Sequence, residues 1–363
     1  MPKNVDVIIN VFGKVYQTAL SLLTLIEHCG KHINKIYFQE EMLTAEYERR
    51  THQKTLEYFS DKIEHFIPAY WNGIDPTDLE KAAVDENYLL SIRYQYGWAK
   101  SDSGFLLTVH NDIDVRTDII ANLKNALGDH TAVGEIGQCW WCPAFQNGLC
   151  DSERYTSFKP SYAYLMKIYN KDMDYTQRRA YNLGLSDQFK ENPWPLPECR
   201  LNEWCALINM EKAVKDTMPV GKSAPFGARM PSGACIGENW DRPVCLDVGV
   251  QWFRDMLHLG HTFGHYDVNK DMVHDKRGSV KLDSAEAYIK AEMLALKQIQ
   301  ERFPDFFQVY AGVIFLSIQP LYICMNTWAV YTKIFKNHPA IHNLSFPAHS
   351  NKHSGLCVQR TVS

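Results

Sequence analysis

Hydrophobic residues along the first part of the chain follow two alternating patterns. Short apolar, β-branched runs predict strands at Val5–Val11 (VDVIINV), INKIYFQEE, KIEHFIPA, Phe105–Val109 and TAVGEIG. Between them, apolar positions fall on helical spacing. Ala19, Leu22, Leu23, Leu25 and Ile26 predict the first helix, which Gly30 stops, and a polar helix follows over Thr44–Tyr58. ENYLLSIRYQYGWAKS and DIIANLKNAL supply two more. Strands separated by helices predict an α/β fold with a mostly parallel sheet flanked by helices. In such sheets ligands sit beyond the carboxyl ends of the strands.

From about residue 139 the regularity is lost to a second half rich in cysteine, tryptophan and proline. RLNEWCALINMEKAVKD predicts a return to helix, SAPFGARMPSGACIGENWDRP an irregular loop, and DSAEAYIKAEMLALKQIQERF a late helix. The expected division is a ligand-binding α/β domain over 1–150, a second part over 151–305 and a tail of uncertain structure over 306–363. Val309–Thr332 carries no charge over a length that could cross a bilayer, although Gln319, Pro320 and Asn326 interrupt it, so membrane association stays open.

Composition adds three restrictions. With 45% hydrophobic and 22% charged residues, the 363-residue chain has the material for a sizeable core. A formal net charge of -4 argues against nucleic acid as a partner, because no basic excess exists to neutralise phosphates. Lys3 precedes an apolar run cut short by Asn10 and Gly13, unlike a secretory signal, which places the expected location in the cytoplasm. The ten cysteines are then free thiols or metal ligands rather than disulfides. CWWCPAFQNGLC and PECRLNEWC offer Cys139, Cys142, Cys150 and Cys199 as a possible structural Zn2+ site. Trp140, Trp141, Trp194, Trp204, Trp240 and Trp252 suit either a core or a sugar-binding cleft.

The chemistry concentrates in GFLLTVHNDIDV. Asp112 and Asp114 stand on alternate positions where a strand ends, either as its exit into solvent or as oxygen ligands of a hard cation, Mn2+ or Mg2+. HLGHTFGH adds His258, His261 and His265 among glycines.

This order of parts resembles the nucleotide-sugar glycosyltransferases of GT-A fold, family 2-like, which carry an Asp-x-Asp motif. The matching stretches are Val5–Lys14, RYQYGWA and FLLTVHNDID. The resemblance implies hexosyl transfer from a UDP- or GDP-linked donor to a glycan or glycolipid acceptor. It also implies that Asp112 and Asp114 bind the metal, with His258 or His261 completing its coordination. Val11, Phe12, Lys14, Glu40 and Arg93 would face the donor, and Glu203 would be the catalytic base, with Glu198 and Asp247 as rivals. One departure is plain: His110 and Asn111 stand where the family often shows further acids. Competing readings are a nucleotidyltransferase acting on sugar phosphates and a non-catalytic, zinc-stabilised interaction protein.

Overall fold

The computed structural model describes residues 5–72, 76–137, 139, 142–169, 187–235, 243–274 and 285–308. All of these fall in one compact unit. Val309–Thr332, Trp140, Trp141 and Trp240 lie outside the described residues.

The strands are β1 (Val5–Val11), β2 (Ile33–Glu40), β3 (Ile63–Phe66), β4 (Phe105–His110), β5 (Ile113–Val115), β6 (Ala132–Ile136), β7 (Leu201–Asn209), β8 (Pro231–Cys235), β9 (Pro243–Cys245), β10 (Phe263–His265) and β11 (Met272–His274). Seven of them form one mixed sheet in the order β10-β6-β7-β4-β1-β2-β3. β3, β2, β1 and β4 run parallel, as do β6 and β10; β7 is antiparallel to both its neighbours. Two small ribbons, β11-β5 and β8-β9, stand apart from it.

β1 is buried on both faces, which is why it reads as a mainly apolar run rather than a strict alternation. Val5, Val7, Ile9 and Val11 join the core beneath helix α1 (Val15–Cys29), while Ile8 joins the core on the opposite face with Tyr37, Trp98 and Leu106. Each such fully buried aliphatic side chain contributes roughly 1.5–3 kcal/mol. The second face depends on Gly97, where a Cβ would lie only 2.8 Å from the Cβ of Ile8. Replacing Gly97 with alanine would push its helix off β1.

The predicted α/β architecture is observed, with two local differences. The segment 200–216, expected as helix, is instead mostly β7 followed by the short helix Met210–Ala213. β7 is buried from Leu201 to Ile208 because it lies between β4 and β6 with cover on both faces, and that burial erases the alternation that marks a half-exposed strand. ENYLLSIRYQYGWAKS forms two short helices, Glu86–Ser91 and Gln95–Lys100, separated where Tyr94 takes a left-handed φ of 65°. Among the described residues no helix is long and apolar enough to cross a membrane.

Candidate metal centre

β1 and β4 are neighbours, and both end at the same edge of the sheet. Two turns meet there. After β1, Gly13 and Lys14 adopt successive left-handed conformations, φ 61° and 53°, before α1 begins. After β4 the chain turns at Asn111 and Asp112 and resumes as β5. The Asn111 amide donates to Thr18 Oγ1 at 3.0 Å and so ties the second turn to α1. Ser21 and Thr24 of α1 serve β5 as a strand partner would: Ile113 N–H donates to Ser21 Oγ at 3.0 Å and Val115 N–H to Thr24 Oγ1 at 3.1 Å. On its other side β5 pairs antiparallel with β11, which sets His274 opposite Ile113.

The result is a compact cluster. His110, Asp112 and His274 each present a ligand atom, and these atoms all lie within 4.8 Å of one another. Asp112 Oδ1 is 3.2 Å from His274 Nε2 and 3.7 Å from His110 Nδ1, and the two rings approach Nδ1 to Nε2 at 3.4 Å. Asp112 Oδ1 is buried, yet among the described residues no hydrogen bond of good geometry reaches it. A buried carboxylate oxygen facing two imidazole nitrogens at 3.2 and 3.7 Å offers a divalent cation three ligand atoms. Two imidazoles and one carboxylate also leave coordination positions open for a ligand.

Electrostatics set the charge states of the cluster. Burial opposes ionisation of Asp112, but the Lys14 ammonium and His274 outweigh it and hold the carboxyl far below its usual range. Burial pushes the His274 imidazole down against the pull of Asp112, favouring the neutral form that can donate a lone pair. The edge of the His274 ring packs on Trp204, with centroids 4.4 Å apart.

Glu203 lies behind the cluster, on β7. Its Oε1 is 3.5 Å from His110 Nε2, and its Oε2 is 2.9 Å from Arg200 Nη1. Arg200 is itself fixed by the Val248 carbonyl at 2.7 Å and Asn202 Oδ1 at 2.9 Å, and it also reaches Asp247 Oδ2 at 3.3 Å. Burial works against the Glu203 charge, but Arg200 and His110 hold its carboxyl below the ordinary value. Arg93 pairs with Glu41 at 3.2 Å, and Asn10 at the end of β1 donates to the same Glu41 oxygen at 3.2 Å. The charges of Glu41, Glu203 and Asp247 favour the charged Arg93 guanidinium against the effect of burial.

Lys14, Arg93, Asp112 and Glu203 therefore gather around one centre, with Val11 buried at the end of β1 and Phe12 partly exposed in the bend beside it. Other expected residues lie elsewhere. Glu40 is wholly buried, held by His65 at 2.7 Å and Arg49 at 3.1 Å, and its neighbour Glu41 takes the rim position. Asp114 belongs to β5, beyond the turn, and accepts both a two-point bond from Arg302 at 2.9 and 3.0 Å and a contact from Arg116. β4 ends at His110, two residues before Asp112, and the ligand atoms brought together are those of His110 and Asp112 rather than of Asp112 and Asp114. His258 hydrogen bonds the Trp194 carbonyl at 3.2 Å, and His261 lies between Thr131 Oγ1 at 2.7 Å and Asp216 Oδ2 at 2.8 Å. The late histidine of the cluster is His274 instead.

Cys139, Cys142, Cys150 and Cys199 line a separate pocket with Tyr155 and Glu198. Their sulfurs are not gathered as metal ligands: among the described residues the three-ligand cluster is that of His110, Asp112 and His274. Burial pushes these thiols up, Cys150 to about 11, which favours protonated sulfur. Trp252 and Trp204 are core residues, and Trp194 donates to the Tyr155 carbonyl at 2.7 Å.

No protein-family model and no curated protein matches the chain. Among solved structures it is similar to the mannosyltransferase PcManGT from Pyrobaculum calidifontis in complex with GDP-Man and Mn2+, at 11% identity and a TM-score of 0.39, over 93% of this chain and 82% of that one. It is also similar to the galactosyltransferase LgtC in complex with donor and acceptor sugar analogues, at 11% identity and a TM-score of 0.29, over 57% of this chain and 58% of that one. A third is S. aureus TarS 1-349, at 10% identity and a TM-score of 0.27, over 37% of this chain and 35% of that one. A mannosyltransferase and a galactosyltransferase are thus among the structures this chain resembles.

Proposed function

We propose that the chain is a divalent-cation-dependent glycosyltransferase that takes a hexosyl group from a UDP- or GDP-linked donor, with a glycan or glycolipid as acceptor. The observation that carries this reading is the convergence of His110, Asp112 and His274 at the carboxyl end of β4, beside the β1–α1 turn. His110, Asp112 and His274 would hold the cation, which when bound would stabilise negative charge on a departing diphosphate. Lys14, 2.6 Å from Asp112 Oδ2, lies where its ammonium can pair with phosphate oxygens. Arg93 adds positive charge nearby, and Asp247, a third exposed and paired with Arg200, is the more accessible carboxylate.

A nucleotidyltransferase that cradles phosphates at the first helix N-terminus fits less well. Those amides are already occupied: Glu292 accepts from Tyr16 N–H at 2.9 Å and from Gln17 N–H at 3.2 Å. The non-catalytic zinc reading lacks a gathered set of sulfurs among the described residues.

Calorimetric titration with UDP and GDP, with and without Mn2+, tests the proposal directly. Binding of either nucleotide that requires the cation and disappears in Asp112→Ala is expected. Cation-independent binding, or none, would remove its foundation. Mass spectrometry of products from a panel of sugar nucleotides would then identify the donor.

A further inference from the structure

We propose that Glu203 is a positioning residue for the metal centre: it holds His110 with the proton on Nε2, leaving the Nδ1 lone pair to the cation. This rests on the metal reading above and extends it to a residue that touches neither metal nor substrate.

A neutral imidazole ring carries one donor and one acceptor nitrogen, and whichever faces a carboxylate keeps the proton. His110 is placed between two opposite demands. Its Nε2 faces Glu203 Oε1 at 3.5 Å, while its Nδ1 faces Asp112 Oδ1 at 3.7 Å and His274 Nε2 at 3.4 Å. A carboxylate behind a ligating histidine fixes both the tautomer and the ring plane and raises the basicity of the other nitrogen.

Three further observations suit Glu203 to that role rather than to deprotonating an acceptor. Its side chain is only 9% exposed, so little of the carboxylate is open to an incoming hydroxyl. Arg200 holds its other oxygen from behind, and Arg200 is pinned by the Val248 carbonyl and Asn202. Asp247, bound to the same arginine, has a side chain 32% exposed and is the more accessible carboxylate. Among the described residues His274 has no such support: its Nδ1 is buried without a hydrogen bond of good geometry, and its ring packs against Trp204 instead. The two histidines are therefore fixed by different means, and only His110 should respond to changes at Glu203.

The experiment uses the full chain without nucleotide. Co2+ binding is followed by visible absorption and Mn2+ binding by calorimetry, for wild type, Asp112→Ala and Glu203→Gln. Glu203→Gln keeps the shape and should weaken both cations by about 10–100-fold. Asp112→Ala should abolish binding. In parallel, nitrogen-15 NMR of the metal-free chain should show His110 protonated on Nε2 in wild type and as a mixture of tautomers in Glu203→Ala. Cation affinity unchanged in Glu203→Gln, with binding still lost in Asp112→Ala, would overturn the inference and leave the metal centre standing. Absence of cation binding by wild type would overturn both. If Glu203→Ala fails to fold, the isosteric Glu203→Gln still decides the question through cation affinity.

Discussion

Lys14 and Asp112 form an ion pair of 2.6 Å across the two turns that meet at the sheet edge. Both side chains are largely buried, and Lys14 holds the carboxylate oxygen that the two imidazoles leave free. The ammonium therefore stands close to any cation bound by Asp112 and opposes it. Lys14→Met should raise affinity for Mn2+ alone by roughly three- to tenfold, because a like charge is removed at short range. The same variant should bind a nucleoside diphosphate more weakly in the presence of the metal. Calorimetry of the two titrations reads both effects, and a fall in affinity for Mn2+ alone would contradict this arrangement.

Asp112 and Asp114 are two residues apart and should behave differently. Asp112→Ala removes a ligand and should abolish cation binding. Asp114→Asn instead loosens the bonds to Arg302 and Arg116, and should cost about 1–3 kcal/mol of stability while leaving cation affinity nearly unchanged. The ligand set bears on cation identity too. Imidazole nitrogens suit Mn2+, Co2+ or Zn2+ better than Mg2+, which prefers oxygen. Competition titrations should rank Mg2+ weakest, and a preference for Mg2+ would argue for a different donor set.

The contrast between these acids shows where the sequence was readable. The β1–α1–β2 unit is legible because β1 is a short, mainly apolar and β-branched run and the apolar positions of α1 repeat near every 3.6 residues. β7, also buried on both faces, is not, since Asn202 and Glu203 interrupt it and its apolar positions run on into the short helix at Met210. Asp112 is legible as a polar residue at the end of an apolar run, but the turn at Asn111–Asp112 breaks the alternation that would have made Asp114 its companion. His110 does carry a signal, standing two residues before Asp112 in the position where a further acid was expected. His274 carries none. Its place is fixed by the pairing of β11 with β5, a contact between residues far apart in the chain that no local pattern encodes.

Helix α1 has no cap of its own. Lys14 at its N-cap position provides no side-chain acceptor, and the caps come from the helix Ala285–Arg302 instead. Glu292 accepts from two α1 amides and from Gln17 Nε2 at 3.0 Å, while the Lys14 N–H donates to the Tyr288 hydroxyl at 2.9 Å. Glu292→Ala should cost about 2 kcal/mol, the combined effect of a lost cap and stranded buried donors. Urea unfolding measures that loss, and amide exchange should quicken at Tyr16 and Gln17 before the rest of α1. Uniform exchange along α1 would assign the loss to general packing instead.

His52 provides a separate test through pH. It is fully buried on α2 (Glu46–Tyr58) against Phe38, and burial pushes its imidazole down to about 4, with Glu40 acting in the opposite direction and His65 and Arg49 reinforcing the drop. In the unfolded chain the same ring binds a proton at its ordinary value, about 6.5. Between those two values the unfolded state carries a proton that the folded state refuses. Stability from this residue is therefore complete above about pH 6.5 and is lost as pH falls toward 4. The expected loss is about 2 kcal/mol between roughly pH 7 and pH 5. Urea midpoints at the two pH values should move apart in wild type and much less in His52→Leu, which keeps an apolar side chain against Phe38 and cannot titrate. An equal shift in both proteins would place the acid sensitivity on other groups.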